Sequence, residues 1–103
     1  MAQFDVYRNP ILAARASAPY VVSLQSDLIP LRETVVVAPL VRKGDPGAGA
    51  KLQRAILVNS EPYVVLFQAM SAVRVNGLGD PIARAPELRD HMMTAIDFIF
   101  LGF

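Results

Sequence analysis

A chain of 103 residues with 53% hydrophobic and 18% charged side chains, and a mean hydropathy of +0.37, has the length of one small domain (residues 1–103) and is too apolar for a disordered one. Its net charge of +1 supplies no broad basic field for nucleic acid or anionic membrane, and the absence of cysteine excludes disulfides and thiolate metal sites. A chain this short buries only part of its apolar surface alone, so the surplus points to a subunit interface.

In chain order, residues 3–7 (QFDVY) set Phe4 and Val6 against Gln3, Asp5 and Tyr7, the period of two of a half-buried strand. Residues 8–18 read as a loop with Pro10 and many small side chains. YVVSLQS, residues 20–26, forms a second strand with Tyr20, Val22 and Leu24 on one face. DLIPLR, residues 27–32, reads as a connection, although Leu28 and Ile29 are bulky for one. TVVVAPLV, residues 34–41, is rich in β-branched residues and makes a strand in which Pro39 marks an edge or a bulge.

KGDPGAGA, residues 43–50, is a flexible surface loop by its glycine and proline content. AILV and YVVLF then flank NSEP, a hairpin whose turn carries Asn59 and Ser60. AVRV runs into the turn dipeptide Asn76-Gly77, and residues 79–86 form another loop. Seven or so short strands with close turns and no internal repeat predict a mainly β domain with an antiparallel, barrel-like sheet.

The end of the chain changes period. Pro86 suits the first position of a helix, with Glu87 and Asp90 as acidic first-turn residues. Leu88, Met92, Ala95, Ile96, Ile99 and Phe103 recur at three- and four-residue steps and form a stripe facing the sheet. Met93, Asp97 and Leu101 fall on the opposite side, with Phe98 and Phe100 on the flanks. Past Ala95 the helix is apolar almost all round. One face covers the sheet, and the other is left to meet a second copy, a partner, or both.

No constellation of catalytic type stands out. Glu87 and His91, four apart on the helix, are two ligands without a third, and a solvated helix face is the better reading of them. Ser26 with Asp27, and Ser60 with Glu61, lie in turns where such side chains cap backbone groups. The glycines of residues 44–49 lack the Lys-Ser/Thr ending of a phosphate loop. The reading is of a non-enzyme with no cofactor and no metal. No apolar run approaches the roughly 20 residues of a membrane span. Residues 1–7 carry Asp5 and lack the cationic start of a signal peptide, so a cytoplasmic protein is expected.

Three blocks carry a resemblance to a known family. QFDVY is similar to an opening Gln-Phe-x-Val-Tyr strand, and LQSDLI (residues 24–29) resembles Val-Gln-Ser-Asp-Ile-Ile. AIDFIFLGF (residues 95–103) resembles the ending Ala-Ile-Asn-Leu-Met-Phe-Trp-Gly-Ile. MSAV (residues 70–73) is similar to a Met-Ala-Ser-Val block, and Glu61 and Tyr63 fall where that family has Glu and Trp. The family is CcdB, the toxins of toxin–antitoxin modules, and the likeness covers nearly the whole chain.

The resemblance implies a homodimer with an SH3-like antiparallel sheet, a small extra sheet and a C-terminal helix. It implies binding to the A subunit of DNA gyrase by the tip of the paired helices, trapping the enzyme on cleaved DNA. A CcdA-like antitoxin neutralises such toxins, and the pair represses its own operon, so DNA is met only indirectly. Carried over by position, the gyrase contacts are Leu28, Ile29, Asp97, Phe100, Leu101, Gly102 and Phe103, and the dimer contacts include Ile99 and Phe103. Two positions depart from the family: Leu101 stands where it has Trp, and Asp97 where it has Asn. Leucine gives up the ring stacking on a cation that Trp offers, and a carboxylate only accepts hydrogen bonds. Alternative readings are a CcdB-fold dimer that binds antitoxin with a lost or changed target, and an RNA-cleaving toxin on a related fold.

Overall fold

A computed structural model describes residues 2–26, 33–44 and 55–102. Seven strands and one helix follow in order: β1 (Asp5–Arg8), β2 (Tyr20–Ser23), β3 (Thr34–Arg42), β4 (Ala55–Val58), β5 (Glu61–Val65), β6 (Ser71–Arg74), β7 (Ala83–Arg84) and α1 (Leu88–Leu101). All strand pairs are antiparallel and lie in one sheet, ordered β4-β5-β3-β2-β1-β7, with β6 also paired to β3. The architecture is mainly β, with a nearly closed barrel-like sheet and a C-terminal helix, as expected, but the small extra sheet that the resemblance implied is not separate, because all the described strands join one sheet.

The nine-residue β3 is the spine. Residues from Val37 to Leu40 pair with β2 on one side; on the other, residues from Thr34 to Val37 pair with β6 and those from Leu40 to Arg42 with β5. Pro39 therefore lies in a central strand, which removes the first of the two places, edge or bulge, that the sequence suggested for it. Its carbonyl accepts the Leu66 amide at 2.9 Å on the side where β6 hands over to β5. A residue's N–H and C=O face the same neighbour in a ladder, so the N–H that proline lacks would have pointed into that gap.

Both faces of the sheet are covered, which corrects the half-buried reading of β1. Phe4, Val6, Val22, Leu40, Val65 and Phe67 belong to the main core, while Tyr7, Val21, Val35, Val37 and Leu78 form a second cluster across the sheet. Tyr20 packs against the main core together with Val22 and Leu24, as the alternation in β2 predicts. A sheet buried on both sides needs apolar residues at consecutive positions, which is why TVVVAPLV runs unbroken.

β1 begins two residues later than its alternation implies, because Phe4 adopts φ 67°. A bulky residue in that region costs about 1–2 kcal/mol. Phe4 is fixed there by its amide donating to the Ser23 carbonyl at 2.7 Å, by its carbonyl accepting the Ala85 amide at 2.9 Å, and by burial of its ring. The Asn59–Ser60 turn is the expected hairpin, with both residues at positive φ (53° and 68°) between paired Val58 and Glu61. The Asn76-Gly77 turn is also found, as a single 3-10 turn over Val75–Gly77. Two further 3-10 turns, Leu12–Ala14 and Phe67–Ala69, and the short β7 lie in stretches read as loop or strand end. Residues 27–32 and most of residues 43–50 lie outside the described residues.

Candidate functional site

The helix is seated at its base and along one stripe. Leu88 and Ala95 are buried, and Met92 and Ile99 pack against the main core. The Phe67–Ala69 turn lies against the helix, with Phe67 wholly buried beneath it. Ile96, expected to be buried, is half-buried and flanks the stripe. The Leu88 amide reaches the Ala85 carbonyl at 3.1 Å, so the helix follows β7 with a tight turn, without a side-chain cap.

The opposite face is open. Met93, Phe100 and Leu101 are 60%, 68% and 62% exposed, Phe98 lies partly exposed beside them, and Asp97 is exposed among them. This is the phase that periodicity assigns to Met93, Asp97 and Leu101. At the tip, Gly102 takes φ 81° and its amide donates to the Phe98 carbonyl at 3.1 Å. That left-handed cap suits glycine. The last turn carries no basic residue, and among the described residues Asp97 makes no ion pair. The end of α1 is thus an apolar knob with one carboxylate.

Of the residues assigned to target binding, Asp97, Phe100, Leu101 and Gly102 are brought together at this tip. Leu28, Ile29 and Phe103 lie outside the described residues. Ile99, assigned to the dimer contact, spends its inner side on the chain's own core and leaves the rest of its surface partly open. Among the described residues no group of three His, Asp or Glu side chains gathers as metal ligands, so Glu87 and His91 gain no third partner. Glu61 is engaged locally: its Oε2 accepts the Tyr63 hydroxyl at 3.3 Å. Burial, then nearby Tyr20 and Glu61, holds the Tyr63 phenol above its ordinary pKa of 10.0.

Two features escaped the site assignment. Met93 extends the open face one turn toward the base, a signal present in the four-residue spacing Met93–Asp97–Leu101, and Phe98 widens that face at the tip. Ile11 and Leu12 are exposed in the first 3-10 turn, where the sequence shows only a run of small residues around them. No helix of the described residues is long and apolar enough to cross a membrane.

A family model described as CcdB, CcdB protein, matches residues 3–102. The chain belongs to the CcdB family. Membership makes it a toxin of the toxin–antitoxin kind. No curated protein matches it. The match runs from before β1 to Gly102, so the exposed tip falls within the matched residues. The matched residues include both the tip and the barrel-like sheet that seats it.

Proposed function

We propose that this CcdB chain is a homodimeric cytoplasmic toxin that binds the A subunit of DNA gyrase with the tip of α1 and traps the enzyme on cleaved DNA. A CcdA-like antitoxin neutralises it and joins it in repressing their operon. It acts by binding, not by catalysis. The observation that carries the reading is the concentration of exposed apolar side chains, Phe100 and Leu101 above all, on a helix end that Gly102 closes. Leu28, Ile29 and Phe103 complete the contact by position. The protein, gyrase from its own host, supercoiled DNA and ATP are combined and scored for trapped linear DNA. Linear DNA that disappears when residues 101–103 are deleted supports the reading; none from a folded protein refutes it.

A second reading has Leu101 in its favour. A CcdB dimer that keeps antitoxin binding, but has abandoned or changed its lethal target, would carry a non-aromatic residue where the family has Trp. Antitoxin binding without linear DNA from the parent, with linear DNA gained on Leu101→Trp, supports this one; a folded Leu101→Trp protein that still gives none shows that Leu101 is not the cause.

A further inference from the structure

Ala2 is folded back onto Asp5. Its amide donates to Asp5 Oδ2 at 3.0 Å, and its carbonyl accepts the Asp5 amide at 3.2 Å and the Ser23 hydroxyl at 2.8 Å. Residues 3 and 4 make the turn between the two, with Phe4 at its positive φ. The carboxylate that Ala2 meets is short of donors. Its side chain is only 8% exposed, and Oδ1 is buried with no aligned hydrogen-bond donor. The ion-pair partner of Oδ1, Arg84 Nε at 3.4 Å, belongs to a side chain largely in water, which screens it.

A buried carboxylate is stable when a cation and charge-assisted bonds offset its lost hydration. The single hydrogen of the Ala2 amide serves Oδ2 and leaves Oδ1 without one. An ammonium at the same nitrogen carries three hydrogens and a full positive charge, which is what this carboxylate lacks. Ala2 and Asp5 also share the wall of a recess of about 610 Å³ with Pro81, Ile82, Ala83 and Arg84, which leaves room beside Ala2. The sequence supplies a route to that ammonium. In a chain translated from Met1 the second residue is Ala2, and methionine aminopeptidases remove an initiator methionine when a small residue follows it. Water adds to the Met1 carbonyl carbon, the C–N bond to Ala2 breaks, Met1 leaves as the free amino acid, and the Ala2 amine takes up a proton. The cut is made on the nascent chain, before folding buries Asp5.

We propose that the Met1–Ala2 bond is a processing site, and that the Asp5 carboxylate is the receptor for the α-ammonium that cutting creates on Ala2. The resulting buried ion pair fastens Ala2 to β1, while Arg84 holds the same carboxylate from β7. The proposal is independent of what the tip of α1 binds.

The protein is expressed from its Met1 codon, and its first residue is read by mass spectrometry. Loss of Met1 is expected, and its full retention overturns the proposal. The Ala2 amine is then titrated through its Cβ carbon resonance. An α-amino group ordinarily titrates at about 7.7–8.0. Beside Asp5 it should do so at least about one unit higher, and Asp5→Asn should return it to the ordinary range or below, since Arg84 then acts alone. Tyr7, raised above 10.0 by burial and then by Asp5, stays neutral through this range and does not mimic the step. The folded value is the raised one, so stability from the pair is complete below the unfolded value and is lost as pH rises through the folded one. The urea midpoint of the cut protein should therefore exceed that of a Met1-bearing form, made with the aminopeptidase inhibited, at about pH 6, and the gap should narrow through the folded value. An ordinary α-amino value in the cut protein, or equal midpoints at the lower pH, overturns the ion pair. Should Asp5→Asn fail to fold, the Met1-bearing form supplies the comparison.

Discussion

The Gly102 amide and the Phe98 carbonyl, 3.1 Å apart, close the last turn of α1 with Gly102 in the left-handed region. A Cβ at Gly102 would meet no atom within 4 Å, so replacing it costs conformational strain alone. Gly102→Ala should raise the free energy of the closed tip by about 1–2 kcal/mol. The expected result is faster hydrogen exchange of the last-turn amides and less trapped linear DNA, with the thermal midpoint nearly unchanged. A large fall in the midpoint would show that the tip supports the fold.

Leu101 is mostly exposed, so changing it should leave stability within about 0.5 kcal/mol and act on binding only. Leu101→Trp is expected to increase gyrase trapping, because the ring adds a stacking surface worth about 0.5–2 kcal/mol beside a cation. Leu101→Ala should decrease it. Cleavage assays on the three proteins at matched concentration give the order directly, and a Trp variant no stronger than its parent would place the limiting contact elsewhere.

Asp5 and Arg84 tie β7, and with it the start of α1, to β1. Arg84 Nε lies 3.4 Å from Asp5 Oδ1, with side-chain exposures of 71% and 8%, while Asp5 Oδ2 accepts the Ala2 amide at 3.0 Å. Oδ1 itself has no aligned hydrogen-bond donor. The two partners should therefore differ on removal. Arg84→Ala loses a solvent-screened attraction, at most about 1 kcal/mol. Asp5→Ala loses a buried acceptor and leaves the space behind it empty, about 1–3 kcal/mol. Urea midpoints of the two variants test the order.

Leu88 is wholly buried where α1 leaves β7. Leu88→Ala should destabilise the protein by about 2–5 kcal/mol through the cavity it leaves. The loss should appear in the global unfolding transition, read by urea titration of sheet and helix signals together. A helix signal lost before the sheet would mean that α1 detaches as a unit.

Tyr7 and Tyr63 both hold their phenols above the ordinary 10.0, each mainly by burial; Asp5 adds to the first, Tyr20 and Glu61 to the second. In the unfolded chain these groups lose protons first. Stability from this source is complete below about pH 10 and declines as pH rises through the higher folded values. Tyr63→Phe should make the urea midpoint fall less steeply above pH 10 than in the parent, with no such difference near neutrality.

Periodicity carried much of this molecule. The shared face of Tyr20, Val22 and Leu24, the β4–β5 hairpin with its Asn59–Ser60 turn and the phase of α1 were legible because strand and helix space their side chains at a fixed pitch and a tight turn selects its own residue types. Pro39 misled because a missing donor is harmful only where a neighbour needs it, and the handover from β6 to β5 is a long-range arrangement. Asp5 and Tyr7 misled for the same reason: a cluster beyond the sheet covers the face that alternation would assign to solvent. Phe4 gave no sign of its positive φ, since the contacts that impose it come from Ser23 and Ala85.

The mainly β class and an end that is apolar on two sides follow from local residue types and spacing, which act whatever the rest of the chain does, while the family was legible only as a resemblance of sequence blocks. The use made of the α1 stripe does not: folding buries Leu88 and Ala95, packs Met92 and Ile99 on the core and leaves Ile96 half-open. It also turns Phe100 and Leu101 outward beside an Asp97 that makes no ion pair among the described residues. Which side of an apolar helix is buried depends on where the sheet ends beneath it, and that is set by strand pairings many residues away.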